Sequence, residues 1–109
     1  SDLLLHAKNP ELMVDGEMQV NFALNKKLRH EKYPFSTIDG MDVNTLIFPC
    51  LNSANIAYRM LISMGMFESI GPVQMGMRKP VHVLDVEASV RDIINMTTIA
   101  VIDAQINSK

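Results

Sequence analysis

The densest set of groups able to do chemistry lies in "LDVEASVRD", Leu84 to Asp92. A short apolar run, Val81–Leu84, ends there and a helical pattern begins at Ser89. A helix N-terminus offers free N–H groups and the positive end of the dipole, so it can hold an anion. Ser89-x-x-Asp92 has the spacing of a capping box, with Asp in place of the usual Glu. Arg91 could add positive charge. Asp85 and Glu87 put negative charge where an anion would sit. The backbone of this turn favours an anion and its acidic side chains oppose one.

Two further turns carry polar groups. Asp15-Gly16-Glu17 reads either as a helix cap with acids at the positive dipole end or as an acid lining a cleft. Asn52, Ser53 and Asn55 follow an apolar run. They could donate to a phosphate or a carbonyl, and they could equally cap a helix. His6, His30 and His82 have no spacing that suggests a metal site, and His82 falls in a strand-like run. Cys50 follows Pro49 at a strand-like end. A small buried thiol is the commoner state for such a residue than a nucleophile. There is no G-x-G-x-x-G fingerprint and no P-loop, so no nicotinamide or nucleotide site is expected here. No residue qualifies as catalytic and no metal site is expected.

Composition narrows the classes. The 109 residues suffice for one domain with one core. Apolar residues make up 48% and charged residues 20%, an ordinary globular balance. The formal charge of −2, with no Lys/Arg run, removes the electrostatic footprint of a nucleic-acid binder. One cysteine excludes an internal disulfide and fits a reducing, cytoplasmic setting. No apolar run approaches the roughly 18 residues of a membrane helix. The opening "SDLLLHAKNPE" looks like the last turns of a helix stopped at Asn9-Pro10, as in a fragment of something longer.

The elements that must position these groups follow from pattern. "ELMVDGEMQ" predicts a strand and a tight turn, and a helix is expected from Glu17 with Val20, Leu24 and Leu28 on one face. "HEKYPFSTIDGMD" reads as a loop. "VNTLIFP" is wholly apolar, as in a strand buried on both faces of a parallel sheet. A helix follows, capped by Asn52 or Ser53 and ended by Gly65. Two strand-like runs, Val73–Met77 and Val81–Leu84, precede a helix from Ser89 to about Ile106. This alternation predicts an α/β fold with a mostly parallel sheet and flanking helices. Ala54–Met64 and Val90–Ile106 are apolar nearly all round, so each must be covered nearly all round. A subunit interface is the expected cover, hence a homo-oligomer; a covering sheet is the alternative.

Four stretches, "VDGEMQVNFALN", "NTLIFPCLNSANIAYRML", "IGPVQMGMRKPVHVL" and "SVRDIINMTTIAVIDAQ", together resemble the C-terminal part of the phosphate acetyl/butaryl transferase family. "YPFS", "KPVHVL" and "SVRDIINMTTIAVIDAQ" look most like the form fused behind bacterial NADP-dependent malic enzymes. The resemblance implies that residues 1–109 are a C-terminal, phosphotransacetylase-like subdomain of the isocitrate/isopropylmalate dehydrogenase type of fold. It implies coenzyme A binding in a cleft between two subdomains, and dimers formed largely through this one. In a malic enzyme it implies NADP and Mg or Mn in the remainder of the parent chain, with acetyl-CoA as a possible effector of this module.

In active transferases the turn after the "KPV.L" run carries a Ser-Arg pair, with an acid on the following helix. Asp92 matches the acid. The pair falls on Asp85 and Val86. Arg grips phosphate bidentately; Val86 cannot. At about 5 Å and an effective dielectric near 20, Asp85 repels a nearby anion by on the order of 3 kcal/mol. The exposed helix terminus returns about 1 kcal/mol. The expectation is a degenerate transferase site in a regulatory and oligomerising module. A working transferase and a ligand-free dimerisation scaffold are the alternatives. The residues expected to line an acetyl-CoA or anion cleft are Asp15, Asn52, Ser53, Asn55, Ser89, Arg91 and Asp92.

Overall fold

The computed structural model describes residues 2–108. Their regular structure is helical throughout: α1 (Asp2–Lys8), α2 (Val20–Leu24), α3 (Lys26–Lys32), α4 (Leu51–Ser63) and α5 (Val90–Asn107). No strand occurs among the described residues, which overturns the expected α/β fold with a parallel sheet. The strand-like runs at 12–14, 43–48, 73–77 and 81–84 are present as irregular chain. No backbone hydrogen bond joins any two of them. The physical reason is that an apolar run states a preference for burial, whereas a strand requires a paired neighbour. Ile47, in the run expected to be buried on both faces, is 88% exposed.

The chain divides into two compact units, Ser1–Phe48 and Pro49–Lys109. In the first, α1 ends where expected: the Asn9 N–H donates to Leu5 O at 2.8 Å, and Pro10 has no N–H to continue. The single helix expected from Glu17 is two helices. Asn25 adopts an extended conformation (φ −106°, ψ 102°), closing α2 and opening α3. Its Oδ1 accepts from the Leu28 N–H at 3.0 Å. This is a side chain competing with the backbone for a helical hydrogen bond.

Arg29 holds this unit together. It is fully buried and α2 packs on α3 around it. Its Nη1 donates to Ala23 O at 2.6 Å and to Phe22 O at 3.3 Å. Its Nη2 donates to Ile38 O at 3.2 Å and to Met41 O. One guanidinium therefore ties the end of α2 to the loop after α3. Its charge is balanced by carbonyl dipoles. Ala23, Ser36 and Ile38 are buried around it. Tyr33 adds edge-on contacts to Phe22 and Phe35, with ring centroids 5.3 and 6.0 Å away.

In the second unit, α4 has no buried residue, and Met96 is the only buried apolar side chain among that unit's described residues. Leu51, Ile56 and Met60 on α4 and Met64 at its C-cap are exposed, as are Ile93, Ile94, Val101, Ile102 and Ile106 on α5. Gly65, at φ +66°, ends α4 in the left-handed conformation that glycine adopts without a Cβ clash.

Replacing Arg29 by Met keeps most of its volume and removes every donor. The Ala23 and Ile38 carbonyls then lose partners, at about 1–3 kcal/mol for each buried group. R29M is expected to lower the urea midpoint of the chain by that order. An unchanged midpoint would show that water replaces the guanidinium.

Candidate functional site

The expected site residues fall in three places. Asp15 belongs to the first unit and the other six to the second. Asp15 is half-buried; one carboxylate oxygen accepts from the Gly16 N–H at 2.8 Å and the other from the Ser36 hydroxyl. It caps no helix, because α2 begins at Val20 after Gln19. It fastens the turn at Gly16 to the loop at Ser36, where Thr37 Oγ1 also donates to Val14 O at 3.0 Å.

Asn52, Ser53 and Asn55 lie in the first turn of α4. Cys50 occupies the cap position, and its side chain makes no capping bond. The Ser53 hydroxyl donates to Cys50 O at 2.8 Å, and the Cys50 thiol donates to Ser53 Oγ at 3.4 Å. Contrary to the expectation of a buried thiol, Cys50 is exposed. Hydrogen bonds from the Ser53 side chain and backbone lower its pKa below the ordinary thiol value. The amides of Asn52 and Asn55 face solvent.

Ser89, Arg91 and Asp92 form the third group. The capping box is complete. The Asp92 N–H donates to Ser89 Oγ at 3.1 Å, and Asp92 Oδ2 accepts from both Ser89 N–H and Ser89 Oγ at 2.8 Å. The Ser89 hydroxyl, and then its backbone N–H, hold the Asp92 carboxyl below the usual carboxylate range. Before it, the Ala88 N–H donates to Asp85 O at 3.0 Å, turning the chain so that Val86 is fully exposed. Asp85 and Glu87 are exposed too, so water screens the repulsion they exert.

Arg91 is already engaged. Its Nη1 and Nη2 donate to Glu68 Oε1 and Oε2 at 3.1 and 2.6 Å, a bidentate pair. The pair lowers the Glu68 pKa and raises that of Arg91. Glu68 is a partner that pattern reasoning missed, because 23 residues separate it from Arg91 and no periodicity links them. The helices α4 and α5 do not pack on each other, so the structure does not join the second and third groups. Among the described residues no cluster of His, Cys, Asp and Glu could hold a metal ion, and no helix is long and apolar enough to cross a membrane.

The sequence pattern of the phosphate acetyl/butaryl transferase family matches residues 3–101. The chain belongs to this family. It is 44% identical over 103 residues to the NADP-dependent malic enzyme of Escherichia coli, a match covering 94% of this chain and 13% of that protein. The NADP-dependent malic enzyme of Salmonella typhimurium is 44% identical over 97 residues, covering 88% of the chain and 13% of the relative. The phosphate acetyltransferase of Bacillus subtilis is 36% identical over 97 residues, covering 89% and 30%. The chain thus spans about an eighth of the malic enzymes it matches. In this chain the turn before α5 carries Asp85, Val86 and Glu87, and the guanidinium of Arg91 on α5 is already paired.

Ser89→Ala removes the acceptor of the Asp92 N–H and the hydroxyl donor to the Asp92 carboxylate, keeps the backbone N–H donor, and is expected to cost about 1 kcal/mol at neutral pH. Asp92 has a depressed carboxyl pKa in the folded chain. Its contribution is therefore present above the unfolded carboxylate range and is lost as pH falls through the folded value. Asp92→Asn should flatten that acid-side loss. Denaturation curves at neutral pH and at about pH 3 measure both effects. Equal acid sensitivity of D92N and the parent would contradict the assignment.

Proposed function

We propose that this chain is the C-terminal part of a phosphotransacetylase-like module that regulates and assembles an NADP-dependent malic enzyme, and that its transferase site is degenerate. The observation that carries the reading is the Arg91–Glu68 pair beside a turn bearing Asp85 and Glu87. Acetyl transfer between phosphate and a coenzyme A thiolate brings two anionic centres together. Its catalysis draws on preorganised positive charge and hydrogen-bond donors. Here the guanidinium is spent on a carboxylate, and Val86 stands at the position of the pairing Arg. The 44% identity to malic enzymes over most of the chain supports that parent.

In this reading, oxidation and decarboxylation of malate to pyruvate, NADP and Mg or Mn belong to the rest of the parent chain. The module retains acetyl-CoA binding as a sensor, with Asn52, Ser53, Asn55, Ser89, Arg91 and Asp92 of the second unit as its candidate contributors. Nucleotide and pantetheine ends lie away from the acyl centre, so binding can outlast catalysis. Homo-oligomer contacts form on α5, whose exposed Ile102 and Ile106 favour burial against a second copy.

Thioester formation from acetyl phosphate and coenzyme A, measured with the full-length parent, is expected to stay at the uncatalysed rate while acetyl-CoA binds saturably in calorimetry. A rate comparable to working transferases would replace this reading with an active phosphate acetyltransferase. Absence of both turnover and binding would leave a dimerisation scaffold. For assembly, Ile99→Asp and Ile102→Asp should each weaken the oligomer, because a carboxylate buried without a partner is strongly unfavourable. Sedimentation equilibrium reads this directly, and two variants that assemble like the parent would move the interface off α5.

A further inference from the structure

We infer that α4 of a second copy of this chain seats antiparallel in the groove between residues 73–77 and α5, with its Arg59 set against Asp103. The inference rests on the homo-oligomer proposed above and names the element that covers α5. The groove is open, about 480 Å3, with residues 73–77 on one side and Ile99, Ile102, Asp103 and Ile106 of α5 on the other. Those four positions follow i, i+3, i+4, i+7, so they share one helix face. His82 lines the groove too, and its Nδ1 accepts from the Gln74 N–H at 3.3 Å. Asp103 is the one carboxylate of the lining. Its Oδ1 accepts from Asn107 Nδ2 at 2.6 Å, and it enters no ion pair among the described residues.

The complement stands on α4. Ile56 and Met60 lie one turn apart and are exposed, and Arg59 stands between them, exposed and without an ion pair among the described residues. Of the other cations described in this unit, Arg91 is paired with Glu68, and Arg78 and Lys79 lie on irregular chain. Spacing sets the direction. Arg59 follows Ile56 by three residues and precedes Met60 by one; Asp103 precedes Ile106 by three and follows Ile102 by one. Laid antiparallel, Ile56 meets Ile106, Met60 meets Ile102 and the two charges fall at the same height along the axis. Laid parallel, the charges fall about 3 Å out of step. Within one chain α4 and α5 do not pack on each other, so a chain's own α4 does not fill its groove. A twofold axis places each α4 in the other copy's groove, so the same contact is made twice. Burial of the apolar stripe drives the seating, and the charge pair selects its register.

The test is a charge-reversal cycle read by sedimentation equilibrium of the whole chain at several concentrations. The unsubstituted chain is compared with Arg59→Asp, Asp103→Arg and the variant carrying both. Each single reversal sets like charges against each other and should weaken association by about tenfold or more; the double variant restores the pair and should return association to within about threefold. A folding defect in either single variant would persist in the double one, so rescue separates lost pairing from lost folding. An oligomer that ignores both reversals would remove α4 from the groove while leaving the α5 interface standing. Weakening without rescue would overturn the pairing of Arg59 with Asp103. A monomeric unsubstituted chain would instead take down the oligomer itself, and this seat with it. Reversals that lower the melting temperature equally at every chain concentration, with association unchanged, would put α4 in its own groove and overturn the second copy.

Discussion

Every buried or capped polar group of the backbone must find a partner, and in this chain the partners are found close by in sequence. A helix closes its own ladder and leaves only its ends in need of donors and acceptors. The fold is largely an account of how those ends are closed. Asn25 supplies an acceptor to the start of α3. Ser89 and Asp92 close the start of α5 reciprocally. Arg29 gathers four carbonyls from the end of α2 and the following loop, doing with one side chain what a strand ladder does with many residues. Groups needing distant partners, such as the runs at 43–48 and 73–77, remain irregular.

The same constraint shapes the chemistry. A helix N-terminus attracts an anion through its free N–H groups, but at α5 the capping box already occupies part of that capacity. Ser89 Oγ takes the Asp92 N–H, and a carboxylate lies over the Ser89 N–H. Arg91, the nearest cation in sequence, is turned to Glu68. What is left at the turn is negative and exposed. An arrangement of this kind closes a helix well and serves phosphate poorly, and the proposed regulatory role rests on that contrast. Hydrophobic surface on α4 and α5 points the same way, since burial against another surface is the main favourable term still open to those helices.

How much of the site was legible depended on sequence distance. The capping box could be read from Ser89-x-x-Asp92, because residues three apart meet on a helix whatever surrounds it. The same holds for the stop at Gly65. Asn52 and Ser53 looked equally good as caps, yet Cys50 holds the position, because the start of α4 is set by the chain entering from Pro49 and not by cap preference alone. Glu68 carried no signal, since a surface carboxylate is ordinary until its partner is known. Arg29 lies two residues after Lys26-Lys27, near the end of the pattern expected to be one helix, where a solvated, dipole-facing role is the usual one. Its complete burial depends on the break at Asn25.

By itself the sequence determined the local features and the family. Helix ends at Asn9, Gly65 and Ser89, the apolar faces of the two long helices, and four ordered motifs of the phosphate acetyl/butaryl transferase family all reside in residues near one another in the chain. The resemblance those motifs carry is also what implies a Ser-Arg pair at the positions of Asp85 and Val86. Tertiary structure alone decided which apolar runs would pair, and here none did. It decided that the Arg29 guanidinium is buried, that Arg91 is held by Glu68 and that His82 meets Gln74. The reason is common to all of these. Pattern reports what a residue prefers, whereas pairing depends on which distant group reaches it, and that is a property of the folded chain.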